Sequence, residues 1–328
     1  MALGSQHIEL NAQERYRLVF WNVENLFDIW DDSVSNDDAF TPTGENHWNS
    51  SRYKSKTDNI YKTIVAIGDD MQQEFNMPLL IGMAEVENDK VLRDLCKGTP
   101  LRRLGYAYVH FDSPDRRGID NALLYREKDF NPFWAQTIGV SDSAAGFFTR
   151  DILLVEGSTP TGDTIIVLVN HFPSRRGGAE ADRQRRRVAQ TLRHTMDTLI
   201  DHHPCTAIVV MGDFNATPED PAISKELMSG EGYVNLSEKT EPGRGSYKYQ
   251  GEWSCIDQII VSKSVLLPSP CVRLTVADEV PHIFQHQSLL EADEKYMGSK
   301  PKRTYIAMKY HGGVSDHLPI YIDLVRGE

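Results

Sequence analysis

This chain predicts an α/β fold of four layers, α-β-β-α: two packed mixed sheets, largely antiparallel, with helices on the outer faces. Three observations carry that expectation. Short β-branched runs bounded by turn residues outnumber helical periods. Several of these runs stand too close in sequence for a helical crossover, which tells against a doubly wound parallel sheet. Two sheets packed face to face, with helices outside, bury all of the runs.

The elements follow in chain order. "RLVFWNV" ends a strand near Asn22, and "LLIGMAEV" ends one at Glu85. "NALLYR" follows "RGID", "TIIVLVNHF" carries His171, and "TAIVVMGDF" delivers Asp213 to the edge of a sheet. "IDQIIVS" begins after Cys255, and "LPIYIDL" follows "SDH". Between them, Ile60, Ile64, Ile67, Met71 and Phe75 recur at helical spacing, as do Val188, Leu192, Met196 and Leu199, so both periods read as core-facing helices. No linker, repeat or composition shift divides the 328 residues, so we expect one domain over 1–328 with its core at about 17–325.

A formal net charge of −12 tells against non-specific nucleic-acid binding by the body of the protein and leaves room for a local basic groove. The four cysteines, Cys96, Cys205, Cys255 and Cys271, have no metal-type spacing and are too sparse to staple so long a chain, so they read as free thiols. No stretch suggests a membrane span, and the first residues lack a basic segment followed by an apolar one. The expected location is therefore cytoplasmic on the residues given, or exported if a leader has been removed.

The polar residues at strand ends are the chemical signal. Asn22, Glu85, Asp213, Asn215, Asp257, Asp316 and His317, with His171 beside them, converge on one edge if the strands pack as described. Carboxylates that converge repel unless a proton or cation sits among them. Carboxylate and amide oxygens suit Mg²⁺, with Mn²⁺ or Ca²⁺ as alternatives, and the histidines are not spaced for zinc.

"FWNVENLFD", "MAEVEN", "RGIDNALLYR", "VNHFPSRRGG", "MGDFNATP", "CIDQIIVS" and "GGVSDHLPIYIDL" resemble, in order, the motifs of the endonuclease/exonuclease/phosphatase superfamily, over about residues 17–325. The resemblance implies a divalent metal held by Glu85, with Asn22 and the acidic Asp316 close by. It implies Asp213 as the residue that orients or deprotonates water, and Asn215 as the amide that holds the water or a phosphate oxygen. It further implies His317 as a donor to the scissile phosphate, Asp257 as the carboxylate that orients His317, and His171 as a general acid for the leaving oxygen. Glu87 lies on the same strand face as Glu85 by simple alternation, but the family's glutamate follows the apolar strand directly, as Glu85 does. Cys255 stands where the abasic-site endonucleases place an arginine, and no middle-motif tyrosine is evident, which points away from DNA repair.

Basic residues suggest a phosphate-binding rim: Arg52, Lys54 and Lys56; Arg116 and Arg117 with Asn121; Arg175 and Arg176. Arg183, Arg185, Arg186 and Arg187 spread around a helix and read mostly as solvated, pairing with Glu180 and Asp182 or with nothing. Tyr247, Tyr249 and Trp253 precede Asp257 and suit base stacking or loop anchoring, the latter for Trp253. The expected protein is a monomeric Mg²⁺-dependent nuclease acting on DNA or RNA. The alternatives are a phosphoesterase for inositol phosphates, sphingomyelin or another small or lipid-linked ester, and a non-catalytic binding module of the same fold.

Overall fold

The computed structural model describes residues 14–70, 75–267 and 271–327. In chain order it contains β1 (Arg15–Leu26), α1 (Ser50–Gly68), β2 (Leu80–Val86), α2 (Asp89–Gly98), β3 (Tyr106–His110), β4 (Asp120–Arg126), β5 (Asn131–Ile138), β6 (Ile152–Ser158), β7 (Thr164–His171), α3 (Ala179–His202) and β8 (Ala207–Asp213). Then come β9 (Tyr233–Asn235), the ribbon β10 (Tyr247–Tyr249) and β11 (Glu252–Ser254), β12 (Asp257–Ser262), β13 (Leu274–Val276) and β14 (His282–Ile283). The ribbons β15 (Leu290–Ala292) with β16 (Ser299–Pro301), and β17 (Tyr305–Ile306) with β18 (Lys309–Tyr310), lead to β19 (Ile320–Arg326).

One sheet has the order β13-β19-β1-β2-β4-β3, with β14 beside β19, and the other β5-β6-β7-β8-β12-β9. The pairs β1–β2 and β7–β8 are parallel and the remaining pairs antiparallel. The two-sheet sandwich of the sequence reading is thus present.

The unbroken apolar character of the strands has a direct cause. Side chains alternate between faces along a strand, and here both faces are covered. Leu18 and Phe20 of β1 meet Val167 and Val169 of β7 and Val209 and Met211 of β8 between the sheets. Val19 and Trp21, one residue out of phase, pack outward against Ile60, Ile64 and Ile67 of α1 and Leu92 and Leu95 of α2. On the other outer face, Ile208 and Val210 meet Val188, Leu192, Met196 and Leu199 of α3.

Helix starts follow capping chemistry. Asn49 Oδ1 accepts from Ser51 N at 3.1 Å and Arg52 N at 3.2 Å, and Asn88 Oδ1 accepts from Val91 N at 3.0 Å. The first helical period was read too far. Helix α1 stops at Gly68, Phe75 lies beyond it and is exposed, and Met71 falls outside the described residues.

Candidate active site

The register of the second sheet creates the site. His171 at the end of β7 pairs with Asp213 at the end of β8, and Asp213 with Asp257 at the start of β12. Residues paired across neighbouring strands share a face. Two positions earlier on the first two strands, and two later on the third, stand Val169, Met211 and Ile259 of the inter-sheet core. The row His171-Asp213-Asp257 therefore continues the inner face of the sheet to the open end of the sandwich, where apolar packing gives way to buried polar groups.

The loop before β19 completes the row from the other sheet. Ser315 Oγ donates to the Asn22 carbonyl at 2.6 Å and accepts from His317 N at 3.0 Å, while Trp21 Nε1 donates to the His317 carbonyl at 3.0 Å. These bonds aim the His317 ring at Asp257, with Nδ1 and Oδ2 2.7 Å apart. The same Asp257 oxygen accepts from Ser246 Oγ, and Tyr247 lies against the imidazole with ring centroids 4.9 Å apart. The far nitrogen, His317 Nε2, stands 3.7 Å from Asp213 Oδ2. Burial opposes a charge on this ring, but Asp257 and then Asp213 outweigh it and hold the pKa well above its ordinary value.

Asp213 is fixed from three sides. Its Oδ1 accepts from Asn215 N at 2.9 Å, its Oδ2 accepts from Asn22 Nδ2 at 3.0 Å, and His171 Nε2 lies 3.6 Å from Oδ2. Burial pushes its carboxyl up to about 7. His171 behaves oppositely to His317: burial, and then the Arg150 guanidinium, hold it well below its ordinary value, so the ring is neutral at rest. Asn215, at φ 47°, donates through Nδ2 to the Phe172 carbonyl at 3.0 Å.

Glu85 and Asp316 face the two histidines. Glu85 Oε2 accepts from Asn25 N at 2.8 Å and lies 3.3 Å from Arg117, leaving Oε1 3.9 Å from His171 Nε2. Burial opposes ionisation of Glu85, yet Arg117, and with it the charged His317 ring, hold its carboxyl well below the usual carboxylate range. Asp316 Oδ2 pairs with Arg303 at 2.8 Å, leaving Oδ1 3.9 Å from His317 Nε2. Among the described residues, Asn22 Oδ1 accepts only from Glu24 N, at 2.9 Å. These two carboxylate oxygens and the amide oxygen have bonding capacity to spare, and oxygen donors of this kind suit a hard divalent ion. Asp213, Asp257 and His317 also bring three ligand-type atoms within 4.8 Å of one another, but the Asp257–His317 hydrogen bond already uses two of those groups on each other.

Strand alternation does not bring Glu87 to this site. Glu85 has φ 64° and the β2–β4 register shifts between Ala84 and Val86, so the chain turns away, and Glu87 instead accepts from Asp28 N. Sequence reasoning missed Glu24, Arg150, Ser246 and Arg303, and gave Lys56 a place on the rim instead of the one it has. Glu24 bridges Arg303, at 3.0 Å, and Thr304 N, at 2.8 Å. Lys56 is buried and donates to the Glu24 carbonyl, to Thr304 Oγ1 at 2.6 Å and to the Val314 carbonyl at 2.9 Å, tying the end of β1 to the segments of Thr304 and Val314 behind the site. A lysine three residues into an ordinary basic cluster gave no signal for that role.

The expected rim is therefore smaller. Lys56 is a buried tie, Lys54 pairs with Asp58, and Arg52 bonds to the Asn46 carbonyl and lies over Tyr310, so that cluster leaves the rim. Arg117, Arg175 and Arg176 are exposed, with Arg117 donating to Asn25 Oδ1 at 2.6 Å and Arg175 Nε to the Asn215 carbonyl at 2.9 Å. Asn121 is buried rather than on the rim; its Nδ2 donates to the Asp151 carbonyl at 2.8 Å. Arg185 corrects the reading of its helix: it is buried, pairs with Asp182 and donates to the Ser174 carbonyl, because its side chain points under the loop after His171. Trp253 is an anchor, packed on the cluster under α1 and α2, whereas Tyr249 is exposed.

Arg150 joins several of these parts. It is buried, pairs with Asp115 at 3.0 Å and donates to the Phe172 carbonyl at 2.7 Å, the carbonyl that also receives Asn215. Asp115 in turn accepts from Arg117 N at 2.9 Å. One guanidinium thus sets the Arg117 loop against the end of β7.

The expectation of four free thiols fails at one pair. Cys205, before β8, and Cys271, before β13, form a disulfide with Cα atoms 5.1 Å apart, while Cys96 and Cys255 remain free. Folding brings these residues together across a separation of 66 positions, which spacing along the chain does not reveal. The bridge links the two sheets at the opposite end of β8 from Asp213.

The sequence profile described as Endonuclease/Exonuclease/phosphatase family matches residues 17–326. No curated protein matches the chain. Among solved structures, the human Nocturnin catalytic domain with bound sulfate is 17% identical, with 94% of each chain covered and a TM-score of 0.56. D. rerio TDP2 complexed with a single-strand DNA product is 14% identical, covering 94% of this chain and 98% of that one, with a TM-score of 0.57. A mannosyl-6-phosphatase of Bacteroides thetaiotaomicron is 15% identical, covering 94% and 99%, with a TM-score of 0.56.

Proposed function

Because the chain belongs to the Endonuclease/Exonuclease/phosphatase family, and so to a family of metal-dependent phosphoester hydrolases, we propose that it is a Mg²⁺-dependent phosphodiesterase that cleaves nucleic acid by in-line attack of water. The observation that carries this reading is the buried line Asp257–His317–Asp213, in which an oriented cationic imidazole faces a carboxylate positioned to hold water. Glu85 and Asp316, beside Asn22, would hold the ion, with Mn²⁺ or Ca²⁺ as alternatives, and it would supply charge neutralisation at the phosphate and the leaving oxygen.

The protein side chains supply the rest. Asp213, locked by Asn22 and Asn215, aligns the water and takes its proton; a carboxyl poised near neutral pH serves a base well. His317 donates from Nε2 to a non-bridging phosphate oxygen, its charge maintained by Asp257. His171, neutral at rest, faces the leaving oxygen as a donor through a single N–H. Asn215 holds the water or a phosphate oxygen.

Exposed Arg117 beside Glu85, exposed Arg175 on the Asn215 carbonyl and exposed Arg176 next to it favour a chain of phosphates over an isolated one. A specific observation favours the second reading, a small phosphoester. The acidic loop with Asp31, Asp32, Asp37 and Asp38 is bonded to the Arg116 carbonyl through Asn36 N at 2.8 Å, and it places negative charge where a long polyanion would approach. Incubation with plasmid, single-stranded DNA, RNA, inositol phosphates, sugar phosphates and sphingomyelin, with Mg²⁺ and with chelator, decides between them. The nuclease reading expects nucleic-acid cleavage that chelator abolishes. Phosphate release from a small ester, with nucleic acid intact, overturns it.

The disulfide supports export, because such cross-links persist in oxidising compartments and are rare where thiols are kept reduced. No described helix is long and apolar enough to cross a membrane.

A further inference from the structure

A second set of metal-ligand groups lies outside the catalytic row, at the junction of β3 and β4. His110 ends β3, Asp112 follows in the connecting loop, Asp120 opens β4, and one ligand atom from each falls within 4.8 Å of the others. The His110 side chain is only 5% exposed, and its Nε2 is buried with no hydrogen-bond partner among the described residues. A buried polar atom left without a well-formed hydrogen bond costs about 1–3 kcal/mol, so it calls for a partner.

The neighbouring groups indicate which partner. Asp120 Oδ1 is occupied by Ser113, through its N at 3.0 Å and its Oγ, which leaves Oδ2 turned toward the histidine at 3.3 Å from Nε2. That separation exceeds the usual ~2.7–3.2 Å of an N–H···O bond. It matches two ligands of one ion: bonds of about 2.0–2.1 Å at a near-tetrahedral angle place nitrogen and oxygen roughly 3.3 Å apart. Asp112 is exposed and borders the cluster from the loop, on the side open to solvent.

We propose that His110, Asp112 and Asp120 bind a Zn²⁺-class transition-metal ion, with water completing the coordination, at a site separate from the catalytic ion. One imidazole nitrogen and two carboxylates suit zinc or its first-row neighbours, whereas Mg²⁺ and Ca²⁺ prefer oxygen alone. Bound there, the ion ties both ends of the segment 111–119. That segment carries Asp115, the partner of Arg150, and Arg117, the partner of Glu85. The site thus fastens the loop that presents Arg117 without contributing an atom to the reaction.

The test uses chelator-stripped protein titrated with ZnCl₂ by calorimetry, with Co²⁺ absorption as a second probe. Glu85→Gln, which removes a ligand of the catalytic ion, is expected to keep one Zn²⁺ equivalent; His110→Gln is expected to lose it, and Asp112→Asn to bind at least ~10-fold more weakly. Asp112 is exposed, so its variant should melt with the stripped wild type, which separates lost binding from lost folding. Hydrogen exchange over residues 111–119 should slow on adding Zn²⁺ to the wild type and stay unchanged in Asp112→Asn. Isotherms of His110→Gln and Asp112→Asn that superimpose on the wild type overturn the proposal, as does loss of all Zn²⁺ binding in Glu85→Gln. Turnover is not the readout, so the result stands apart from whether the nuclease reading holds.

Discussion

Asp257→Asn removes one charge and almost no volume from the centre of the row. Asp257 Oδ2 accepts from both His317 Nδ1 and Ser246 Oγ, while Oδ1 is buried with no hydrogen-bond partner among the described residues. If the asparagine keeps its oxygen toward His317, its NH₂ occupies the unpartnered position at a cost of about 1–3 kcal/mol. If it flips, the NH₂ donates to Nδ1 and leaves the ring neutral, with its one proton on Nε2. In both cases the cation loses its counter-charge. Charges about 4 Å apart at an effective dielectric of 20 are worth about 4 kcal/mol, which is a factor of ~10³ in whatever the imidazolium stabilises. That lies inside the ~10²–10⁴ range of general acid–base effects. The expected outcome is kcat reduced by about 10³ on a chromogenic phosphoester that the wild type turns over, with Mg²⁺ affinity unchanged within about threefold. A variant that melts with the wild type and keeps kcat within about threefold would refute the assignment of His317 as a charged donor held by Asp257.

The other expectations rest on separate contacts. Glu85→Gln should raise the Mg²⁺ concentration needed for half-maximal activity by at least tenfold, roughly the cost of disturbing a metal site, and activity of the wild type removed by chelator should return on adding Mg²⁺; an unchanged Mg²⁺ requirement in the variant speaks against Glu85 as a ligand. Arg150→Lys keeps the charge but cannot span Asp115 and the Phe172 carbonyl together; losing one charge-assisted bond, worth about 1.5–3 kcal/mol, should lower kcat/KM by roughly ten- to a hundredfold and leave Mg²⁺ affinity alone. Cys205→Ser should cost about 2–4 kcal/mol of stability, read as a lower denaturation midpoint, with kcat at 25 °C unchanged because the bridge lies at the far end of the sandwich. A fall in kcat without a fall in midpoint would contradict that placement.

Much of this site can be read along the chain because strands that end in polar residues have few reasons to do so. Asn22, Glu85, His171, Asp213 and His317 each interrupt an apolar run or sit beside one, and apolar runs with cover on both faces already imply a two-sheet, helix-flanked fold. Register, buried charge and distant pairing are different matters. Nothing local pairs His171 with Asp213 and Asp213 with Asp257 in one row, since register depends on how whole strands slide past one another. Lys56 and Arg150 look like surface cations in the sequence and are buried ties in the fold, because long side chains turn inward where unpaired carbonyls and carboxylates await them. The same holds for Cys205 and Cys271, which only folding brings within bonding distance. Sequence by itself determined which chemical groups this protein has and the kind of fold that gathers them. Tertiary structure decided which of those groups touch, because contact between residues far apart in the chain is set by packing and not by spacing.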